Sequence, residues 1–132
     1  MAGIDPNKDA KWRIGGLFAA LNRKTWDSSL EFYMGEGEQD KSARKYMAGH
    51  WDAGYEWSKT FSTHLRYDHF DPNLDVDGDL AREVSLALVV SNKTRSSNLI
   101  LVGTQAIEDK GSNANSQLRL IWSLSPSGIV RF

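Results

Sequence analysis

From Lys59 onward the side chains of this chain change character every second residue, and that period constrains the fold more than any other feature. In Thr60–Asp71, read T-F-S-T-H-L-R-Y-D-H-F-D, the residues His64, Arg66, Asp68 and Phe70 share one strand face. Leu65, Tyr67 and His69 share the other. Val84, Leu86, Leu88 and Val90 then alternate with Glu83, Ser85, Ala87 and Val89, and Leu118, Leu120, Trp122 and Leu124 with Arg119, Ile121 and Ser123. Strands are expected at about 81–90, 98–107 and 117–124, with a short terminal one at 128–132. The linkers 91–97 and 108–116 are rich in Ser, Asn, Lys and Gly, as hairpin loops are. Leu99 and Leu101 oppose Ile100 and Val102, so the strand carrying them is apolar on both faces. It is therefore a central strand, or its outer face packs on another subunit.

Before Lys59 the spacing reads as helical. Asp5-Pro6 is a capped helix start, and Trp12, Ile14, Leu17, Phe18 and Leu21 recur at near-helical intervals. A second, shorter helix is expected with Trp26, Leu30 and Tyr33 or Met34 facing inward, then a polar loop at Gly35-Glu36-Gly37-Glu38. A third, capped by Asp40 or Ser42, runs to about Ser58. Ala43, Tyr46, Met47, His50, Gly54 and Trp57 form its apolar face, with Trp51 and Tyr55 at the flanks. Three helices followed by a meander give an α+β domain, the helices packed on one face of a curved, mainly antiparallel sheet of four to six strands. The length of 132 residues is that of one domain, 1–132.

Composition narrows the function classes. A formal net charge of −1 argues against a nucleic-acid partner, which normally requires a basic stripe. No run approaches eighteen apolar residues, the criterion for a membrane-spanning helix, so no membrane partner is expected. With no apolar signal region and no cysteine, the expectation is a soluble, cytoplasmic protein without disulfide or thiolate chemistry. In D-P-N-L-D-V-D-G-D, residues 71–79, Asn73, Asp75 and Asp77 fall at calcium-loop positions relative to Gly78. The bidentate glutamate, however, would fall on Val84, so the stretch reads as a turn in which Gly78 supplies a positive φ. His64 and His69 face opposite sides and make no metal pair. Neither metal nor organic cofactor is expected.

The row His64, Arg66, Asp68 is the candidate catalytic set. A cation and a carboxylate two residues apart project side by side, and burial under helices would shift their proton affinities enough for acid/base work. On that reading Asp68 or His64 moves a proton and Arg66 stabilises developing negative charge. Glu31, Tyr33, Tyr46 and His50 complete the substrate pocket, and Trp51, Trp57 and Trp122 supply its apolar walls. The alternative is that the row is the solvated face of a strand.

The layout also resembles the nuclear-transport-factor-2-like superfamily, in its SnoaL-like and ketosteroid-isomerase-like branches. The words that carry the resemblance are A-L-N-R-K-T-W-D-S-S-L-E-F-Y (20–33) and L-I-W-S-L-S-P-S-G-I-V-R-F (120–132). It implies a cone-shaped roll whose pocket opens between sheet and helix, and a cofactor-independent isomerase, cyclase, dehydratase or other lyase of secondary metabolism. The implied substrate is a hydrophobic, polyketide- or terpenoid-like molecule, and the implied assembly a homodimer. Arg66-Tyr67-Asp68 resembles the Arg-x-Asp pair of the limonene-epoxide-hydrolase branch, although the final segment lacks that branch's second aspartate. A non-catalytic ligand-binding or dimerisation module of the same fold is the alternative.

Overall fold

The computed structural model describes residues 12–39, 42–108 and 116–124. They form seven strands and no helix: β1 (Trp12–Asn22), β2 (Trp26–Gln39), β3 (Ser42–Ser58), β4 (Phe61–Asp71), β5 (Ala81–Ser91), β6 (Ser97–Glu108) and β7 (Ser116–Leu124). Each pairs antiparallel with the next, so sheet order is chain order. The three expected helices are therefore β1, β2 and β3, and the α+β architecture and the nuclear-transport-factor-2-like resemblance both fall with them. The expected helix start at Asp5-Pro6 and the strand at 128–132 lie outside the described residues.

The reason for the helical appearance is visible in β1. Ile14, Leu17, Phe18 and Leu21 imitate the i, i+3, i+4, i+7 stripe of a helix. In the sheet they divide, Ile14 and Phe18 to one face and Leu17 and Leu21 to the other. The same mixing of faces put Tyr46, Met47, His50 and Gly54 on one imagined stripe of β3. Glycine decides against the helices. Gly15, Gly16, Gly35, Gly37, Gly49 and Gly54 all fall in these three strands, and each would cost a helix about 1 kcal/mol relative to alanine. The sheet gives several of them a use. A Cβ on Gly35 would overlap the Tyr46 ring, and one on Gly16 would come within 2.6 Å of the Tyr33 ring, so aromatic side chains lie flat across both glycines.

The three expected strands after residue 80 are present with nearly the expected bounds, and β4 covers the alternating stretch. The turn between β4 and β5 is built by local capping: Asp71 Oδ1 accepts from Asn73 N at 3.1 Å, Asn73 Oδ1 from Asp75 N at 3.3 Å, and Gly78 sits at φ 90°. Between β5 and β6, Asn92 Oδ1 accepts from Ser96 N at 2.9 Å, and Arg95 takes the left-handed conformation at φ 56°.

Register sorts every strand into two faces. One face carries Leu17 and Leu21; Trp26, Leu30, Phe32 and Met34; Met47, Trp51 and Tyr55; Phe61, Leu65 and Tyr67; Val84, Leu86, Leu88 and Val90; Leu99 and Leu101; and Leu118, Leu120, Trp122 and Leu124. The other carries most of the charged and small residues. Among the described residues nothing covers the apolar face: no hydrophobic side chain is buried, and Leu17, Leu118 and Trp122 are 76%, 75% and 71% exposed. Among the described residues contacts join only sequential strands, and β1 and β7 do not meet, so neither edge strand has a second partner among them.

Because Gly78 occupies a left-handed turn position, Gly78→Ala is expected to lower stability by about 1 kcal/mol. The denaturant midpoint checks this, and far-ultraviolet circular dichroism of the parent chain should show strand signal without a helical component.

Candidate functional site

The polar face gathers its charges into a belt across β2–β5. One transverse row reads Glu31, His50, Asp68, Glu83 on four neighbouring strands. The next reads Ser29, Asp52, Arg66, Ser85, Thr104, and the one beyond it Asp27, Gly54, His64, Ala87. The pleat produces this arrangement: each strand presents every second residue to this face, and antiparallel pairing aligns those residues across the sheet.

Arg66 is the hub. Its Nε donates to Asp68 Oδ2 at 2.8 Å and its Nη2 to Asp68 Oδ1 at 2.8 Å, a two-pronged contact, while Nη1 lies 3.8 Å from Asp52 Oδ1. The Asp68 hydrogen bond, the largest effect, raises the guanidinium's proton affinity above its ordinary value against the opposing pull of partial burial. His50 Nε2 is 3.3 Å from Asp52 Oδ2 and 3.8 Å from Glu31 Oε2. Tyr33 donates its hydroxyl to Glu31 Oε2 at 2.7 Å. That hydrogen bond, followed by the charge of Glu31 and slight desolvation, raises the Tyr33 phenol above its usual proton affinity. His64 Nε2 lies 3.2 Å from Ser62 Oγ. A Cβ on the buried Gly54 would sit 2.6 Å from Asp27 Oδ1 and 2.8 Å from His64 Nδ1, so these two side chains converge over a position that only glycine leaves open.

The expected site residues thus separate into two groups. His64, Arg66, Asp68, Glu31, Tyr33, His50 and Tyr46 share the polar face. Trp51 and Trp122 are on the opposite face, as is Trp57, which stacks edge-on against Tyr55 at 4.7 Å and donates Nε1 to Thr63 Oγ1 at 3.1 Å. The tryptophans do not wall a pocket around the charged row. Nor is the row enclosed: the Arg66 and Asp68 side chains are 49% and 34% exposed. Sequence reasoning missed Asp27, Asp52 and Glu83. The signal was there in Trp26-Asp27-Ser28-Ser29-Leu30-Glu31-Phe32-Tyr33 and in Trp51-Asp52, where acidic and apolar residues alternate with a period of two.

The apolar face has a geometry of its own. On β2 its apolar run extends from Trp26 to Met34, about 27 Å at ~3.4 Å per residue. The run starts at Met47 on β3 and at Leu118 on β7, and the Leu118 row passes through Gly103, Leu86 and Leu65 to Ala53. From Met47 to Ala53 the start of the band has slipped six residues along the strand direction. The same Leu118 row reaches Leu21, where the apolar run of β1 ends. The band therefore crosses the sheet obliquely, one corner to the other. Above it lie Arg13, Glu36 and Lys45 in one row and His69 and Arg82 in another, with Ile107 the exception. At its lower border, beside the turns at 23–25, 59–60 and 92–96, stand Trp26, Tyr55, Trp57, Phe61 and Trp122.

Comparison with protein-family models, curated proteins and solved structures gives no match. Fold and side chains alone carry the functional reading.

The Tyr33–Glu31 bond gives a measurable signature. A raised phenol affinity means that the bond's contribution to stability is present below the ordinary tyrosine range and lost as pH rises through the higher folded-state value. Spectrophotometric titration should place the Tyr33 ionisation above the ordinary tyrosine range, and Glu31→Gln should bring it back towards that range.

Proposed function

We propose that this sheet is a stretch of the wall of a membrane-spanning β-barrel, its apolar face turned to lipid and its charged belt turned to an aqueous interior. The observation that carries the reading is the oblique, uncovered apolar band. Strands in such a barrel tilt by 35–45°, so a band level with the membrane slips along successive strands, as this one does. Tilted by about 40°, the Trp26–Met34 run rises roughly 20 Å, close to the ~25 Å apolar belt of such walls. The aromatic row beside the turns at 23–25, 59–60 and 92–96 lies where a membrane interface places Trp and Tyr. Indole donors in it already have polar partners, Trp57 on Thr63 and Trp122 on Ser97 Oγ at 2.9 Å.

No helix among the described residues is long and apolar enough to cross a membrane, and that criterion does not bear on strands. In water, an apolar face of this extent would require a second copy as cover. Lipid accounts in addition for the slant of the band and the aromatic row at its border. The open edges of β1 and β7 would be completed by further antiparallel strands, because an unpaired backbone group in hydrocarbon costs several kcal/mol. The acid/base enzyme expected from the resemblance is not carried forward, since the helices that would have enclosed its pocket are absent. On this reading the location proposed is a membrane.

Two measurements test the proposal. With the chain reconstituted in vesicles, quenchers attached to the lipid chains should quench tryptophan fluorescence; a dimer that stays in solution and ignores them would overturn the reading. In the same vesicles Leu86→Lys should cost about 2–4 kcal/mol, while Ala87→Lys, on the opposite face of the same strand, should cost under about 1 kcal/mol.

A further inference from the structure

We propose that the polar face carries an esterase site: Ser62 is the nucleophile, His64 its base and Asp27 the residue that positions the imidazole, and the substrates are carboxylic esters with an apolar acyl chain. Ser62 and His64 stand two residues apart on β4 and face the same way, with Ser62 Oγ 3.2 Å from His64 Nε2. The second ring nitrogen serves the other partner. His64 Nδ1 and Asp27 Oδ1 would lie 2.8 and 2.6 Å from a Cβ on Gly54, which separates them in the row Asp27, Gly54, His64, Ala87. The imidazole thus has a hydroxyl at one nitrogen and a carboxylate on the side of the other, the wiring that activates a serine. In the tautomer with its proton on Nδ1, Nε2 accepts from the serine hydroxyl. Rotation over the glycine closes the Asp27–His64 contact, as catalytic contacts tighten when substrate binds. Ala87, on the other flank of His64, leaves the approach open.

The row of the serine itself names the substrate class. It reads Glu56, Ser62, Val89, Ile100, Ile121 across β3–β7. On a face otherwise charged or small, an apolar strip leads away from the nucleophile, with Val102 beside it; Val89, Ile100 and Val102 are half-buried. This gives a use to the second apolar face of β6, which lipid on the first does not explain. Three strand steps of ~4.8 Å carry the strip about 14 Å from Ser62, room for an acyl chain laid across the strands. On the other side of the serine Arg95 Nη2 is held 3.0 Å from Glu56 Oε1, and Glu56 is the cross-strand partner of Ser62. A guanidinium therefore stands beside the serine, where the negative charge on a carbonyl oxygen develops. In the first step Ser62 Oγ bonds to the carbonyl carbon and gives its proton to His64 Nε2. The carbon–alkoxy bond then breaks, and that proton leaves with the alcohol. Water repeats the sequence on the acyl-serine, releasing the carboxylic acid and restoring the hydroxyl.

The proposal needs only that this face meet water, so it stands apart from the barrel-wall reading. The full chain, in vesicles and in solution, is treated with an octyl fluorophosphonate, which phosphonylates an activated serine with loss of fluoride. Mass spectrometry should map the adduct to Ser62. Labelling should vanish in Ser62→Ala and slow by about a hundredfold in His64→Gln, with the strand signal in circular dichroism retained in both. p-Nitrophenyl octanoate should be hydrolysed with a higher kcat/KM than the acetate, and Ile100→Ser should bring that ratio towards unity. Asp27→Asn should lower kcat with KM held, and Asp27→Glu should restore part of the loss. Labelling at another residue, hydrolysis that survives Ser62→Ala, or equal efficiency on the two esters would each overturn the proposal. A chain that labels at Ser62 but ignores labelled lipid keeps it and loses the barrel wall; a chain quenched by lipid and never labelled does the reverse.

Discussion

An apolar face with no protein to cover it is the constraint on which the rest of the molecule depends. A single antiparallel sheet has two surfaces, and burying one ordinarily needs a second layer. Among the described residues sequential strands pair only with their neighbours, and no helix or second sheet returns across the meander. The apolar side chains make cross-strand contacts within their own face and then end in open space. Their burial, at ~25 cal/mol per Å², is energy that the chain cannot realise alone. The surroundings must provide the cover, and the slope of the band indicates which surroundings. A second sheet laid on the first has no need of a band that slips six residues across five strands. A planar apolar slab crossed by tilted strands has that need built in.

The polar face follows from the same pleat. Because the side-chain period is two, Glu31 stands back to back with Leu30 and Phe32, His50 with Trp51, and Asp68 with Tyr67. Small residues make room between the charges. Gly54 lets Asp27 and His64 converge, and Gly16 and Gly35 receive the rings of Tyr33 and Tyr46. The Arg66–Asp68 contact, half exposed as it is, contributes at most about 1 kcal/mol to stability. Its larger effect is on geometry, since it fixes the guanidinium between Asp68 and Asp52.

How far the sequence could be read depended on how cleanly each strand separates its faces. Residues 60–71 and the strands at 81–91 and 116–124 alternate with few exceptions, and their positions and division into two faces were legible. So was the grouping of His64, Arg66 and Asp68. In β1 both faces carry large apolar residues, and Ile14, Leu17, Phe18 and Leu21 satisfy a helical stripe as well as a two-sided strand. In β3 the aromatics Tyr46, Trp51, Tyr55 and Trp57 fall on both sides, and choosing among them by size alone builds a stripe that does not exist. β2 was decidable: Trp26, Ser28, Leu30, Phe32 and Met34 alternate strictly with Asp27, Ser29, Glu31, Tyr33 and Gly35. Asp27 and Asp52 were lost with the helices; Glu83 stood on an expected strand, but its membership in the belt, like theirs, depends on register between strands, which no local window contains.

Register also ties the two faces into one device. Slipping any strand by a single residue exchanges its faces. On β2 that would turn Asp27 and Glu31 outward and bring Trp26, Leu30 and Phe32 to the polar side. In water such a slip leaves charge solvated and exposes apolar surface already largely exposed, so the penalty is modest. Against hydrocarbon each carboxylate carried outward meets a medium that solvates it poorly, at a cost of a few kcal/mol near mid-membrane. The opposed carboxylates of the belt, destabilising among themselves, would then serve as a register lock once the apolar face is covered by lipid. A sheet loosely specified in isolation becomes strictly specified in a bilayer.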